Sequence, residues 1–416
     1  MFQTHTHTPV NLRGNRISKT HPEIGVLLSC ARTSMDADTA CQFKELLRQD
    51  INWDHLLNVA HSHGVLPLLY WTLKHHGSEA VPKTIFDQLQ NYFLNNARFN
   101  LTLTGELLRI LNLFDHDGIP AIPFKGPILA HSGYGNIALR EFVDLDLLIR
   151  KKDFLKVKEM LLAEGYFPIF KLNPHQERAF IRTQPEYHFQ HKENGFQIEI
   201  LWEFAPRAFS FRLNLEHLWE RRECVSLSGK EILTLCPEDL LLILCVHGFK
   251  HGWSCLEWVC DIAEWVRSHK EKGINWDQLM GQAARLGCDK TLLLGLSLAI
   301  DLLGAVVPDD VLKKVKADLT VKSLAAKVVK QMFPDGDSSF GLLGRSLFRP
   351  NLEMSLFYLK LIKPLRKRVR YFYDLTIVPT HLEYGLIKLS PSFFFLYFLI
   401  RPLRLIGKHG IGALMR

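Results

Sequence analysis

The chain has 416 residues, of which 47% are hydrophobic and 23% are charged. This composition excludes a disordered or fibrous protein, and the length predicts about two or three domains. The eight cysteines include no Cys-x-x-Cys pair, so we expect reduced, mostly buried thiols in a cytoplasmic protein. The longest apolar run, Phe393 to Ile400, is too short to span a bilayer.

Residues 1–20 are polar and rich in histidine, and we expect a disordered tail rather than a signal peptide. Over residues 21–115 apolar side chains recur at three- and four-residue steps, which predicts an N-terminal helical region. The tetrapeptide Ile51–Asp54 recurs as Ile274–Asp277. Either a helical hairpin has been duplicated, or a common cap-and-helix sequence has arisen twice.

Residues 116–235 form a region of strands between helical segments. The apolar pattern predicts a short strand over 119–125, a second strand over 142–149 and a helix over 153–164. A hairpin is predicted around the turn sequence Glu193-Asn194-Gly195.

Two carboxylates, Asp144 and Asp146, stand two residues apart in the second predicted strand. Side chains of a strand alternate between its faces, so both aspartates emerge together while Val143, Leu145 and Leu147 point the other way. Neighbouring negative charges on a half-buried strand are costly unless a cation neutralises them. The pair therefore predicts a divalent cation, most simply Mg²⁺ with Mn²⁺ as the alternative.

Lys125 and Gly126 stand between the first predicted strand and a predicted helix. Glycine permits close backbone approach, and a helix N-terminus attracts phosphate. Lys125 or Arg140 would add positive charge, and the arginine fork suits phosphate oxygens. Together with the acidic pair, these residues predict a phosphoryl-transfer site. The alternative is an ordinary strand-to-helix turn with a solvated lysine.

Glu199 lies on the second strand of the predicted hairpin, on the face opposite to Ile198 and Ile200. From there it could meet Asp144 and Asp146 across the sheet and supply a third carboxylate. The alternative is an exposed hairpin residue.

Residues 236–416 are predicted to be a C-terminal helical region with a basic, aromatic end. Within it, His247, Lys250, His251 and Glu257 share a helix face if that helix is continuous. Contact with substrate phosphate, particularly through Lys250, is one interpretation. Core packing and zinc binding are the alternatives.

Residues 344–416 contain thirteen Lys/Arg and three Asp/Glu. This excess of positive charge predicts weak contact with an anionic surface, either nucleic acid or lipid, or else a solvated basic face. The aromatic run Phe393–Phe398 is expected to be a buried helix rather than a membrane anchor.

The order of these motifs resembles the bacterial family described as uncharacterised nucleotidyltransferases, within the DNA polymerase beta-like superfamily. The likeness covers roughly residues 50–300. It rests on Phe124–Gly126, Arg140, Asp144–Ile149, Ile198–Trp202, Pro237–Leu241, His247–Trp253 and Asp261–Ile262.

The resemblance implies an α+β fold, in which a small mixed-sheet nucleotidyltransferase core is flanked by N-terminal and C-terminal helical regions. It implies transfer of an NMP from an NTP to the hydroxyl of a small molecule, a tRNA or a protein, with release of pyrophosphate. The implied metal ligands and catalytic residues are Asp144, Asp146 and Glu199. The implied substrate-binding residues are Lys125, Gly126, Arg140 and Lys250.

Two alternatives stay open on the sequence alone. One is a toxin-like relative that modifies tRNA or protein, which the basic C-terminal region favours. The other is a non-catalytic nucleotide-binding or assembly protein with a degenerate site. The second is favoured by Pro127, because the superfamily usually has a serine after the glycine of its phosphate loop.

Overall fold

The computed structural model describes residues 21–204, 215–271, 273–334, 359 and 365–413. The predicted tail, residues 1–20, lies outside the described residues, as does much of the predicted basic region 344–416. Within the described part, a five-stranded mixed sheet and a two-stranded sheet are preceded and followed by helices. The predicted α+β fold class, with a small mixed sheet between helical regions, is confirmed.

Among the described residues, five α-helices precede the sheet, and local start signals account for several of them. They are α1 (Pro22–Cys30), α2 (Ala37–Leu47), α3 (Trp53–Ser62), α4 (Leu66–His76) and α5 (Lys83–His116). Pro22 lies in the first turn of α1, where its missing N–H costs nothing. Asp36 and Asn52 cap α2 and α3 by accepting hydrogen bonds from backbone N–H groups.

The five-stranded sheet has the order β1-β2-β5-β4-β3. Its strands are β1 (Ala121–Pro123), β2 (Asp144–Ile149), β3 (Tyr166–Pro168), β4 (Glu186–His191) and β5 (Gln197–Leu201). Strands β2 and β5 are parallel, and the other neighbours are antiparallel. Strands β4 and β5 form the predicted hairpin, in which Gly195 has a φ of 74°. Strands β6 (Glu223–Leu227) and β7 (Lys230–Thr234) form the two-stranded sheet.

Among the described residues, four α-helices lie between these strands: α6 (Gly126–Tyr134), α7 (Phe154–Ala163), α8 (Pro174–Thr183) and α9 (Leu215–Glu220). On β2, Leu145 and Leu147 are buried as predicted. The expectation for Val143 is wrong, since its side chain is 57% exposed. It precedes the first residue of β2, so the alternation of the strand does not govern it.

The helices after β7 are α10 (Pro237–Lys250), α11 (Leu256–Ser268), α12 (Trp276–Leu286), α13 (Asp289–Leu303), α14 (Asp309–Ala317) and α15 (Leu319–Met332). The C-terminal segment adds α16 (Leu365–Thr376), α17 (His381–Leu386) and α18 (Tyr397–Ala413). The prediction of a buried aromatic helix is wrong in part. Residues Pro391–Leu396 form a 3₁₀ helix that exposes Phe393 and Phe395, and only Tyr397 of the run is fully buried.

The structure favours the duplication of a helical unit over a coincidence of caps. The backbone N–H of Asn52, which caps α3, donates to Oε1 of Glu23 at 2.8 Å. The backbone N–H of Asn275, which caps α12, donates to Oε1 of Glu238 at 2.6 Å. Each glutamate follows a proline at the start of a helix, α1 or α10. Helices α1–α4 and α10–α13 therefore repeat one order of elements held by one type of bond.

The buried side chains form two cores. The helical core contains residues of α1–α4 and of α10–α15, so the N-terminal and C-terminal helical regions share one core. The sheet core lies around the strands and includes Tyr384 and Tyr397 of the C-terminal segment. Helix α5 belongs to both, with Ile85 and Leu89 in the helical core and its second half in the sheet core.

Candidate active site

Asp144 and Asp146 project from β2 beside the first turn of α6. They are two residues apart on one strand and share a face of the sheet. The side chain of Asp146 is buried, and that of Asp144 is half-buried. A Cβ atom placed on Gly126, the first residue of α6, would lie 3.3 Å from the carbonyl oxygen of Asp144. The acidic strand and the helix N-terminus therefore meet.

Strand β5 places Glu199 beside Asp146. The parallel register pairs Asp144 with Gln197 and Asp146 with Glu199. Residues paired across neighbouring strands have side chains on the same face, so Asp144, Asp146 and Glu199 share one face of the sheet. Among the described residues, the three side chains whose ligand atoms lie close enough to share an ion are Glu186, His188 and Glu199. The catalytic and metal-binding roles of Asp144, Asp146 and Glu199 stay predictions.

Strand β4 adds a histidine to this acidic face. His188 pairs with Glu199 in the register of β4 and β5, and its Nδ1 lies 3.0 Å from Oε1 of Glu199. Its Nε2 lies 3.5 Å from Oε1 of Glu186. Lys250, at the end of α10, holds Glu186 through an ion pair of 3.2 Å. Negative and positive side chains therefore alternate from Glu199 through His188 and Glu186 to Lys250 of α10.

Our sequence reasoning missed His188 and Glu186 as site residues. They alternate on β4 in the same way as the aspartates alternate on β2. Counting back from the predicted turn at Gly195 places His188 opposite Glu199, so the pairing of the hairpin was the available signal. The predicted Lys250 does reach the site, where its partner is a carboxylate.

The acidic face holds more negative charge than its own residues neutralise. The pKa of Asp146 is raised to about 7, chiefly by burial, with Asp144 and Glu199 adding to the rise and Lys125 opposing it. Burial and the charge of Glu199 also raise the pKa of Asp144. Carboxylates with raised pKa values attract either protons or a metal cation.

Lys125 is the cation that touches the buried aspartate, with Nζ lying 2.9 Å from Oδ1 of Asp146. Burial acts to lower the pKa of Lys125, but Asp146, Asp144 and Glu199 more than reverse this and raise the pKa above its ordinary value. The ammonium group therefore stays protonated. The predicted contact of Lys125 with phosphate stays a prediction.

His188 is a cation in this arrangement. Burial acts to lower the pKa of His188, but hydrogen bonds to Glu186 and Glu199 raise it to about 10. Burial acts to raise the pKa of Glu199, and the interaction with His188 lowers it below its ordinary value. An imidazolium thus holds Glu199 ionised and fixes its orientation.

Gly126 is required by both its backbone conformation and its neighbour. Its φ of 53° lies in the left-handed region, and the carbonyl of Asp144 approaches the position of a Cβ. Substitution G126A is expected to lower the free energy of unfolding by about 1–2 kcal/mol. It should also weaken phosphate-dependent binding, because the turn must shift from β2. Urea denaturation and nucleotide titration measure the two effects.

Gly118 provides a matched control for this substitution. Its φ is 70°, and no atom lies within 4 Å of a Cβ placed there. Substitution G118A carries the same conformational cost without the close contact. Equal losses of stability and unchanged binding in both variants would show that the approach of Gly126 to Asp144 is unimportant.

Comparisons with known proteins bear directly on this site. A family model described as "Uncharacterised nucleotidyltransferase" matches residues 49–304, which is more than half of the chain. The chain belongs to this nucleotidyltransferase family. The match contains all three carboxylates, Lys125 and His188. It also agrees with the extent expected from the motifs alone.

Searches of curated sequences and of solved structures found little similarity. A search of curated protein sequences found no match. Among solved structures, the chain is similar to the antibiotic-resistance factor ANT(2'')-Ia, with 10% identity and a TM-score of 0.32. That similarity covers 45% of this chain and 91% of the other.

Arg140, predicted to bind phosphate, is buried in this nucleotidyltransferase and has carboxylate partners. Its Nε and Nη2 donate to Oδ1 and Oδ2 of Asp261 at 2.7 and 2.9 Å. Glu257 lies 3.5 Å away, and the hydroxyl of Tyr134 donates to Asp261 at 2.7 Å. Both acidic residues lie on α11, so the arginine ties the segment before β2 to the helical core. Phosphate contact by Arg140 stays a prediction.

His247 and His251 pack as a pair of neutral rings. Their centroids are 4.6 Å apart, and both rings contact Trp258. Burial lowers the pKa of His251 to about 3 and lowers the pKa of His247 well below its ordinary value. The helix is not continuous from His247 to Glu257, because α10 ends at Lys250 and Glu257 lies on α11, so the condition for a shared face is not met. In the described part of the chain these histidines belong to no group of three candidate metal ligands.

Among the described helices, none is long and apolar enough to cross a membrane.

Proposed function

We propose that the chain transfers an NMP from an NTP to an acceptor hydroxyl, using a divalent metal ion, and releases pyrophosphate. The observation that carries the proposal is the group of three carboxylates, Asp144, Asp146 and Glu199, on one face of adjacent parallel strands. Membership of the nucleotidyltransferase family supports the reaction class. The acceptor is a hydroxyl group of a small molecule, a tRNA or a protein.

The residues of the site fit a hard divalent cation. Carboxylate oxygens are the ligands that Mg²⁺ prefers, with Mn²⁺ as the alternative. The raised pKa values of Asp144 and Asp146, set first by burial and then by neighbouring charge, indicate unneutralised negative charge. Asp144, Asp146 and Glu199 would hold the ion. When bound, it supplies Lewis-acid polarisation of the transferred phosphate and lowers the pKa of a bound hydroxyl.

The chain's own residues would place the triphosphate beside these carboxylates. The first turn of α6 begins at Gly126, next to the carbonyl of Asp144, and its backbone N–H groups would bind a phosphate there. Lys125 carries positive charge there and would exchange its contact with Asp146 for a phosphate oxygen when substrate and ion enter.

Glu199 is the residue best placed to act on the acceptor. Its carboxylate is ionised and held by His188, which is held in turn by Glu186 and Lys250. An oriented, ionised carboxylate beside a metal site can accept the proton of an attacking hydroxyl. His188 would then act as a positioning residue for that carboxylate.

Two observations favour a second candidate function. Lys125 already forms an ion pair with Asp146, and no serine follows Gly126. A lysine that permanently occupies the cation position would leave a site that binds nucleotide without transferring it. The non-catalytic nucleotide-binding alternative therefore makes a distinct prediction, namely binding that is independent of metal.

Calorimetric titration distinguishes the two. We expect at least one of ATP, GTP, CTP and UTP to bind in the presence of Mg²⁺ or Mn²⁺ and to lose most of its affinity in EDTA. Pyrophosphate release should then appear when pools of metabolites, tRNA or proteins are added with the nucleotide. Equal affinity with and without metal, combined with no pyrophosphate release, would establish the non-catalytic alternative.

A further inference from the structure

Helix α16 exposes an apolar stripe to the surroundings of the protein. Leu365, Val369 and Phe372 are spaced four and three residues apart, so they lie on one face, and each is more than half exposed. Tyr371 lies on the other side of the helix and is buried in the helical core. The helix is therefore anchored through one face while its apolar face has no cover from the described residues.

Helix α18 repeats this arrangement. Leu399, Leu403 and Ile406 have the same spacing, and each is more than half exposed. Tyr397, at the start of α18, is fully buried in the sheet core and donates its hydroxyl hydrogen to the carbonyl oxygen of Ile387 at 2.6 Å. Each of the two helices therefore has a buried tyrosine on one side and an apolar stripe on the other.

The two helices are joined to each other and to the segment between them. The guanidinium of Arg401 on α18 donates to the carbonyl oxygen of Leu375 on α16 at 2.7 Å. Arg404 pairs with Glu383 of α17 at 2.5 Å. Among the described residues, the connecting segment exposes five more large apolar side chains: Leu382, Leu386, Ile387, Phe393 and Phe395.

Positive charge flanks the stripe on α16. Arg366, Arg368 and Arg370 are all exposed, and they lie on either side of the line formed by Leu365, Val369 and Phe372. Residues 365–413 contain eight Lys/Arg and two Asp/Glu. An apolar face bordered by basic side chains is the pattern of a helix that lies in the plane of a membrane surface.

We propose that the surface formed by α16, the 3₁₀ helix Pro391–Leu396 and α18 docks on an anionic phospholipid bilayer. The basic side chains complement anionic headgroups, and the aliphatic stripes enter the boundary between headgroups and acyl chains. Nucleic acid would use the same arginines but offers no partner for leucine, valine and isoleucine stripes. The docking is peripheral, in agreement with the absence of a membrane-crossing helix among the described residues.

Vesicle co-sedimentation of the full chain tests the proposal. We expect binding to vesicles of phosphatidylcholine and phosphatidylglycerol, much weaker binding to phosphatidylcholine alone, and a decline with salt. The double variant F372S and L403S should lose about tenfold or more in affinity for the anionic vesicles, because both stripes lose a large apolar group. Both residues are exposed, so circular dichroism should show an unchanged fold.

The double variant L101S and V306S is the matched control. Leu101 and Val306 are also exposed apolar residues, at 62% and 71%, but lie outside the proposed surface. The L101S and V306S double variant should bind vesicles like the wild type. The proposal is overturned if the wild-type protein does not bind anionic vesicles at low salt, or if both double variants lose affinity for the vesicles equally.

Two further measurements separate other occupants of this surface. Light scattering that shows a dimer, lost in the F372S and L403S variant without any vesicle binding, would assign the surface to a second copy of the chain. RNA binding that is lost in this variant while vesicles fail to bind would assign it to nucleic acid. Either result would replace the proposal. It does not rest on the nucleotidyl-transfer site, whose variants test that site separately.

Discussion

Replacing Asp146 with asparagine is expected to slow nucleotidyl transfer by about a thousandfold. An amide cannot supply the negative charge of the central carboxylate, and charge stabilisation by a bound metal is worth several kcal/mol, with each 1.4 kcal/mol changing the rate about tenfold. Metal-dependent NTP affinity should fall in parallel. Initial rates of pyrophosphate release and calorimetry with and without Mg²⁺ measure both effects.

The matched control is D87N, which makes the same chemical change at an exposed position of α5. It should leave rate and affinity unchanged. Thermal unfolding of both variants checks that the fold persists, since Asp146 is also the partner of Lys125. A wild-type rate in D146N would refute the metal-dependent mechanism and leave family membership intact.

Substitution R140M should destabilise the protein by about 3–5 kcal/mol. Arg140 is the bidentate partner of Asp261 and lies 3.5 Å from Glu257, and all three residues are buried. Removing one member of a buried ion pair leaves uncompensated charge in a poorly solvated place. Guanidinium denaturation should show the midpoint falling with little change in the slope.

Two variants calibrate this loss. R98M alters an exposed arginine of α5 and should stay within about 0.5 kcal/mol of the wild type. The double variant R140M and D261N should be more stable than the sum of its single substitutions predicts, because the orphaned charge is removed. If R140M is as stable as R98M, the buried arginine does not hold the segment before β2 to the helical core.

Strand alternation and turn chemistry are local, and they were predictable from the sequence. The hairpin around Gly195, the strand of Asp144 and Asp146, and the helix that begins at Gly126 all follow from spacing within a few residues. The side on which Glu199 emerges follows from the same alternation. Its position next to Asp146 depends on the β2–β5 pairing, a long-range contact that the family resemblance implied.

Charge partners and shared cores were harder to predict, because they depend on which distant segments meet. Nothing near Arg140 in the sequence indicates that Asp261 lies opposite its guanidinium. In the sequence the duplicated helical unit left a repeated tetrapeptide, Ile51–Asp54 and Ile274–Asp277, and a few matching residues after it. Its first helices precede residue 49, where the family match begins. Helices far apart in the sequence fill one helical core, which depends on contacts that no local pattern indicates.

Helix α5 connects the helical core to the sheet core. Its 34 residues make a rod about 50 Å long, with one end fixed in each core. Between Leu89 and Asn100 none of its side chains is fully buried, although Tyr92 and Phe93 pack against the helical core. This stretch includes Asn96, whose amide donates to the carbonyl oxygen of Ala138. Because α5 is one continuous helix, it contains no break that could act as a hinge between the sheet core and the helical core. Any closure of the sheet on a substrate has to flex the rod over residues 90–99, close to the segment that carries Arg140.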